Sequence, residues 1–217
     1  MIFVPPILRR LARDRRGGSA AEYAMVVPLL LVFIFATIDG GRFMWRYNRA
    51  EKATQAGVRV AAVTQIIPTG LSGTWVGATV NGNILTQGDV IPVSAIGTIT
   101  CTKPSGTLGC VCTGTSVASP LSCPGTIVST GWDAVVARVQ LMEPAAGETN
   151  IVVEYRGSGL GYAGDPSGLD IAPLVTVKLK DMTFQPASLL IFGKISYDMP
   201  VFATTLTAED SVGIHSN

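Results

Sequence analysis

The sequence predicts an α+β fold in which a long N-terminal helix packs on a small antiparallel sheet. An uncharged apolar run extends from Tyr23 to Ile38, and small apolar residues recur at helical spacing over residues 50–63. Segments near the C-terminus alternate between apolar and polar residues, as strands do. Helical periodicity that precedes strand periodicity is typical of an α+β architecture, in which the helix covers one face of the sheet.

The first element is an apolar helix long enough to cross a bilayer. Ala20–Ile38 would extend about 28 Å at 1.5 Å per residue, which just spans the ~30 Å hydrocarbon core. Trp45 and Tyr47 follow at the depth where aromatic residues favour the membrane interface. We therefore expect a transmembrane segment at about 20–38.

The helical pattern continues beyond the apolar run. No proline occurs between Pro28 and Pro68, and polar residues such as Arg49, Lys52 and Arg59 lie opposite the small apolar ones. The sequence therefore predicts one helix over 18–66, apolar all round in its first half and amphipathic in its second.

Charge is distributed unevenly along the chain. Residues 1–17 hold five arginines and one aspartate, a net charge of +4, so the other 200 residues carry −3 of the total of +1. The bulk of the chain therefore lacks the basic field that nucleic-acid binding requires. Basic residues lie on both sides of the apolar run and do not decide its orientation. The cysteines that follow favour an oxidising compartment for the C-terminal part, so we expect residues 1–17 to be a cytoplasmic leader and 67–217 to form an extracytoplasmic head.

Three interpretations of the N-terminal region compete. A cleaved secretory signal needs small residues at its exit, and Ile38-Asp39 before Gly40 supplies none. A permanent single-pass anchor explains the apolar run but not the amphipathic continuation. A helix that is half in lipid and half packed on a globular head explains both.

The head is expected to contain a sheet and one further helix. The strands are predicted at 150–156, 174–180 and 196–207, the last interrupted at Pro200, which suits an edge strand. Trp132–Met142 fits a helix, which Ser129, Thr130 or Asp133 could cap and Pro144 would stop. The resulting three-stranded antiparallel sheet would be covered by this helix and by the helix face at residues 50–63.

Residues 69–130 form a predicted insertion with irregular β structure that holds all four cysteines, Cys101, Cys110, Cys112 and Cys123. An even, clustered count beside a membrane anchor indicates an oxidising compartment and two disulfides. A Cys110–Cys112 bond would close a strained ring, which leaves two other pairings open. A zinc site is disfavoured because the spacing lacks the usual knuckle of two closely spaced cysteines.

The junction between leader and helix carries a motif. Gly17 is followed by four residues and then Glu22-Tyr23, which resembles the processing site of Flp pilins and TadE-like pseudopilins, the minor pilins of Tad/Flp-type type IVb pilus systems. The order of the C-terminal strands, with Val152-Val153-Glu154-Tyr155 and then Ala172-Pro173-Leu174-Val175, is also similar to that of TadE-like proteins. The fold implied by the resemblance is pilin-like.

The resemblance implies cleavage by a prepilin peptidase between Gly17 and Gly18, although a cut after Gly18 is also compatible with the sequence. Tyr23 would then contribute to recognition, and Glu22 would become the fifth mature residue and meet the N-terminal amine of a neighbouring subunit. A lone carboxylate near the bilayer centre costs roughly 2.5–3.5 kcal/mol, and less towards the interface, which favours such a pair.

The implied partners are the prepilin peptidase, other pilins including a major Flp pilin, an assembly ATPase and platform proteins, and the lipid bilayer. The implied location is the bacterial inner membrane, with the N-terminus cytoplasmic, the C-terminal part periplasmic and incorporation into a pilus outside the cell as a later state. The alternative function is a permanently anchored periplasmic binding module.

No catalytic site is expected, and neither a cofactor nor a metal. The one histidine, His215, lies three residues from the end, and no common nucleophile, zinc or phosphate-binding motif occurs. Asp165 and Asp170 flank a loop that could offer oxygen ligands to calcium, but their spacing favours a plain turn. Lys178 and Lys180 are interpreted as a solvated sheet face.

Overall fold

The computed structural model describes residues 18–114, 117–118, 123–166, 168–188 and 195–208. The described chain divides into two units. The first unit comprises residues up to Met44 together with the described part of 185–196, and the second comprises 45–184 and 197–208.

The N-terminal helix, α1, spans Gly18–Val63 without interruption and includes Pro28. This confirms the predicted long helix, which ends slightly before the expected boundary at residue 66. At its end, both the backbone N–H and the hydroxyl of Thr64 donate to the carbonyl of Val60, at 3.0 and 2.8 Å. Thr64 therefore satisfies a carbonyl that the helix itself leaves free.

The second half of α1 is amphipathic, as its spacing predicts. Ala50, Ala53, Val60 and Ala61 are buried, whereas Lys52, Gln55 and Arg59 are exposed. Val63 shares the predicted apolar stripe but is exposed, so the stripe is buried only as far as Ala61.

The second helix, α2, spans Ser129–Met142 and confirms the helical interpretation of this segment. Its apolar face buries Trp132, Val135 and Val139. The predicted cap is wrong: the N-cap is Val128, which makes no side-chain cap. The N–H of Val128 instead bonds to the carbonyl of Ile67 at 2.9 Å, so neighbouring backbone rather than a polar side chain fixes the start of α2.

Ten strands are described: β1 (Thr79–Val80), β2 (Asn83–Ile84), β3 (Thr98–Thr102), β4 (Gly109–Thr113), β5 (Val117–Ala118), β6 (Ile151–Arg156), β7 (Leu174–Leu179), β8 (Thr183–Phe184), β9 (Tyr197–Asp198) and β10 (Phe202–Thr207). Short 3₁₀ helices lie at Thr69–Leu71, Val93–Ala95 and Glu148–Asn150.

The main sheet is antiparallel and has five strands in the order β10-β7-β6-β3-β4, so the expectation of three strands is corrected. The additional two strands, β3 and β4, come from the stretch expected to be an irregular insertion. They extend the sheet because Thr98–Thr102 pairs with both β4 and β6 in continuous register. Two smaller sheets have the orders β2-β1-β5 and β8-β9.

The second half of α1 packs on the inner face of the main sheet, as predicted, and α2 packs against α1 beside it. Gly57 lies at the point of closest approach, where a Cβ atom would lie 2.7 Å from Val139 Cγ2 of α2 and 3.3 Å from Val177 Cγ1 of β7. On the same face the hydroxyls of Thr54 and Thr204 are 2.9 Å apart. The core of the second unit therefore lies between α1, α2 and the sheet.

The cysteines form two disulfides, Cys101–Cys110 and Cys112–Cys123. The first joins residues directly opposite each other on β3 and β4. The second ties β4 to the segment that leads into α2. The spacing left two pairings open. The structure has the one in which the first cysteine bonds to the second and the third bonds to the fourth.

Candidate functional site in the N-terminal helix

The first half of α1 presents a large apolar surface that no other part of the described chain covers. Met25 is 80% exposed, Leu29 77% and Phe33 66%. Exposed apolar surface of this extent marks a site that contacts lipid or another protein.

Among the described residues one helix is long and apolar enough to cross a membrane, and it spans Ala20–Val63. None of its apolar stretch is buried in the structure. The exposure distinguishes it from the core helix of a soluble protein, which buries such residues on other elements.

Glu22 lies within the first turns of this helix, four residues after Gly18, and is exposed. Positions i and i+4 lie on the same helix face, so Gly18 and Glu22 are neighbours on the surface of α1. Within the described part of the chain, Glu22 has no ion-pair partner.

The other residues of the predicted processing site fall on either side of the described boundary. Gly18 is the first residue of α1 and Tyr23 is 73% exposed. Gly17 and the arginines before it lie outside the described residues. The structure thus brings Gly18, Glu22 and Tyr23 together in the exposed first turns of one helix.

Asp39 lies at the opposite end of the apolar run, and its carboxylate is held by hydrogen bonds and an ion pair. It is 6% exposed. Its Oδ1 accepts a hydrogen bond from the backbone N–H of Ala187 at 2.8 Å, and its Oδ2 accepts one from Ser188 at 2.7 Å. Arg42 Nη1 also lies 3.2 Å from Oδ1. The two acidic residues that bracket the run therefore differ: Asp39 has partners among the described residues and Glu22 does not.

A second charged cluster connects the amphipathic half of α1 to the end of α2. Glu143, only 2% exposed, lies 3.4 Å from Arg49 Nε and 4.0 Å from Arg46 Nη2. Arg46 also donates to the Thr183 carbonyl at 3.1 Å. Arg49, which the sequence places on the polar face of the helix, therefore neutralises a buried acid.

The loop with Asp165 and Asp170 is organised by hydrogen bonds. Asp170 is buried, and its Oδ2 accepts from the N–H of Trp75 at 2.6 Å while its Oδ1 accepts from the N–H of Asp165 at 3.1 Å. Both carboxylate oxygens thus hold backbone N–H groups, which supports the interpretation as a turn. No group of three or more potential metal ligands occurs in the described ranges.

Lys178 lies on the outer face of the sheet, but it is paired. Its Nζ lies 2.6 Å from Glu154 Oε1, and Arg156 lies 3.3 Å from the other oxygen of the same carboxylate. Glu154 is buried, so this face is less solvated than the alternation of residues indicates. His215 lies outside the described residues.

Comparison with known proteins supports the family resemblance in the N-terminal helix. Residues 17–59 match the family model of TadE-like proteins. The chain carries a TadE-like domain. Proteins with this domain include pilin-like components of Tad pilus systems, and over these residues the chain is similar to them. No curated protein and no solved structure matches the chain.

The TadE-like domain begins at Gly17 and includes Glu22, Tyr23 and Asp39. It ends at residue 59, within the amphipathic part of α1. The disulfide-bearing sheet lies outside the matched range. The similarity to TadE-like proteins is therefore confined to the helix, and no comparison covers the head.

Sequence reasoning missed Asp39 and Glu143. A detectable signal existed for Asp39, because it is the first charge after the apolar run. Its partners, Ala187 and Ser188, contribute backbone groups far along the chain, which no side-chain pattern reveals. Glu143 follows α2 directly and shows no sequence feature that predicts burial.

Proposed function

We propose that this chain is a minor pseudopilin of a Tad/Flp-type pilus or secretion apparatus, inserted in the bacterial inner membrane as a single-pass protein. Its N-terminus is cytoplasmic and its head periplasmic. A prepilin peptidase removes the arginine-rich leader between Gly17 and Gly18, and assembly proteins then transfer the processed helix into a bundle with other pilins. The match of residues 17–59 to TadE-like proteins supports the family context.

One observation carries the assembly step. Glu22 is an exposed carboxylate within an uncovered apolar helix, and no described residue neutralises it. At the other end of the run, Asp39 is neutralised within its own chain. A carboxylate in lipid favours a bound cation, and a new ammonium group at Gly18 of an adjacent subunit is the partner that processing would create.

The proposed pair contributes to assembly and not to the fold of the head. Pairing removes the desolvation cost of both charges at once, whereas an unpaired monomer bears both. The mature helix would therefore be more stable in a bundle than alone in lipid. The exposed apolar surface around Leu29 and Phe33 would form the remainder of the contact.

Replacement of Glu22 tests this function. The Glu22→Ala and Glu22→Gln variants are produced with the peptidase and assembly proteins of the same system, and both cleavage and incorporation into sheared filaments or the assembled complex are measured. We expect cleavage within about twofold of wild type and incorporation reduced about tenfold or more, equivalent to the loss of about 1.4 kcal/mol of pairing.

Val111→Ala serves as the control, because Val111 is an exposed apolar side chain on β4, outside the apolar surface of α1. It changes the surface of the head but no charge, and should be incorporated normally. Normal incorporation of Glu22→Ala would contradict the role of the pair. An unprocessed wild-type chain in working assemblies would instead favour the permanently anchored binding module.

A further inference from the structure

The main sheet has an open edge at β10. This strand, Phe202–Thr207, pairs with β7 on one side, and no described strand pairs on its other side. Edge strands present a row of free backbone groups that can bind another extended chain.

The hydrogen-bond pattern identifies which groups are free. The N–H of Ala208 donates to the Pro173 carbonyl at 2.8 Å. Every second residue of an antiparallel strand bonds to the same neighbour, so the backbone groups of Leu206, Thr204 and Phe202 also point towards β7. On the β6 side of β7, the N–H of Lys180 donates to the carbonyl of Asn150 at 2.9 Å. Alternate residues of β7 therefore bond to β6, and those between them bond to β10, which agrees with this assignment. The backbone N–H and C=O groups of Ala203, Thr205 and Thr207 therefore point away from the sheet.

Strand β10 itself includes no charge and no proline, the nearest proline being Pro200 before it, and no described element covers its outer side. Val201 beside it is 62% exposed. Natural edges are usually protected by lysine, proline, a bulge or a covering element. An unprotected edge of this length suits strand addition, in which main-chain hydrogen bonds supply affinity.

A groove of about 280 Å³ lies between α1 and this edge. It is lined by Tyr47, Glu51, Thr54 and Gln55 of the helix and by residues 201–204 of the strand. Glu51 is half-buried, and no ion pair links it to a residue in the described part of the chain. The groove thus combines an acidic side chain with a neighbouring row of free backbone groups.

We propose that β10 and this groove bind an extended segment of a partner protein, which adds as a strand to the sheet and places a lysine or arginine against Glu51. The free groups of Ala203, Thr205 and Thr207 supply the backbone bonds. Glu51 supplies the charge preference, since an unpaired acid at a groove selects a basic partner. This surface is on the head, so it is independent of the contact proposed for Glu22.

A second copy of this chain fits the edge less well. Antiparallel pairing of two identical β10 edges relates the copies by a two-fold axis perpendicular to the sheet. Because α1 packs along the sheet face, that axis would reverse α1 in the second copy. Two helices that enter one membrane from the same side point in the same direction, which excludes this arrangement for anchored subunits.

The test uses the full-length, unprocessed chain in detergent micelles and fluorescent peptides of alternating threonine and valine. One peptide has a central lysine and the other a central glutamate. We expect the lysine peptide to bind about tenfold more tightly than the glutamate peptide. Glu51→Gln should reduce this preference to within about twofold.

Thr205→Pro removes one outward N–H without removing a bond to β7, and should weaken both peptides about tenfold or more. Thr205→Val keeps the N–H and removes the hydroxyl that lies 2.8 Å from that of Thr176, so it controls for loss of that contact. Urea unfolding verifies that both variants are folded.

Three outcomes would overturn the proposal. The first is no peptide binding up to about 1 mM, or binding that Thr205→Pro leaves unchanged. The second is self-association of the chain that Thr205→Pro abolishes, which would assign the edge to a second copy. The third is binding that occurs only after removal of residues 209–217, which would assign the edge to the chain's own C-terminal residues. All three are read on the unprocessed chain, so they do not depend on cleavage at Gly17.

Discussion

The guanidinium of Arg49 lies against the carboxylate of Glu143, with Nε 3.4 Å from Oε2 and also donating to the Met142 carbonyl at 3.0 Å. Glu143 directly follows α2, where the free carbonyl groups of a helix end carry partial negative charge. Burial and the negative end of the helix therefore both make a negative charge on Glu143 unfavourable. The positive charge of Arg49 offsets both effects and thereby fixes α2 to the amphipathic half of α1.

Removal of Arg49 should therefore destabilise the head. Arg49→Met leaves Glu143 buried with Arg46, at 4.0 Å, as its remaining described cationic partner. Breaking a fully buried pair costs about 3–5 kcal/mol, and since Arg49 is partly exposed we expect about 1–3 kcal/mol. Urea unfolding in micelles measures the change. Lys52→Met, an exposed cation on the same helix, is the control and should change stability by less than about 0.5 kcal/mol. Equal losses for both variants would remove the special role of Arg49.

The close packing at Gly57 gives a second prediction. Gly57→Ala places a Cβ 2.7 Å from Val139 Cγ2 and should destabilise the protein by about 1–3 kcal/mol, although alanine favours helices. Thermal unfolding checks the direction of the change. Gly40→Ala is the matched control, because no atom lies within 4 Å of the added methyl group, and it should be neutral or stabilising.

A rescue separates packing from backbone effects in the same experiment. Adding Val139→Ala to Gly57→Ala removes the methyl groups that the new Cβ meets. The double variant should lose less stability than the sum of the losses of the two single variants, because the effects of substitutions at contacting residues are usually not additive. Strict additivity would mean that the helix does not approach Val139 as closely as described.

Tyr155 gives an alkaline pH dependence. Burial raises the pKa of Tyr155 above its ordinary value of 10, while its hydroxyl oxygen accepts a hydrogen bond from the N–H of Ile67 at 3.3 Å. The unfolded chain ionises near pH 10 before the folded one does, so the contribution of Tyr155 to stability is present below pH 10 and is lost as the pH rises above it.

We expect the wild type to lose stability between pH 9 and 11 more steeply than Tyr155→Phe, as measured by urea unfolding across this range. At neutral pH the same substitution should cost about 1–2 kcal/mol, because the buried N–H of Ile67 loses its acceptor. Tyr162→Phe, at a tyrosine that is 55% exposed, is the control. Parallel pH profiles for wild type and Tyr155→Phe would show that Tyr155 is not buried in solution.

The disulfide pairing can be tested with double serine variants. Cys101→Ser with Cys110→Ser removes one bond and should leave no thiol open to alkylation, because Cys112–Cys123 remains. Cys101→Ser with Cys112→Ser removes one partner from each bond and should leave two reactive thiols or an unfolded head. Intact mass after alkylation distinguishes the results. Free thiols in the first variant would contradict the pairing.

Local patterns in the sequence predict the elements more completely than the contacts between them. The long helix, the helix around Trp132 and the strands at 151–156 and 174–179 follow from the spacing of their apolar residues. Strands β3 and β4 lie in a stretch rich in glycine and threonine, and they join the main sheet because β3 pairs with both β6 and β4. The pairing of β3 with β6 connects segments far apart in the sequence, which the short apolar runs of this stretch do not reveal.

The candidate site shows the same division. Glu22 was identifiable because a charge in an apolar run is costly wherever the chain folds. The roles of Asp39 and Glu143 depend on partners that the fold brings near them. The role of Glu51 depends on the lack of an ion-pair partner among the described residues. Those distances depend on tertiary packing, so only the structure reveals them.

The mature N-terminus tests the central claim most directly. Mass spectrometry of the native protein, isolated from membranes and from assembled filaments or complexes, identifies its first residue. The account predicts that the assembled protein begins at Gly18, with Glu22 as the fifth residue. A protein that still begins at Met1 in functional assemblies would contradict it.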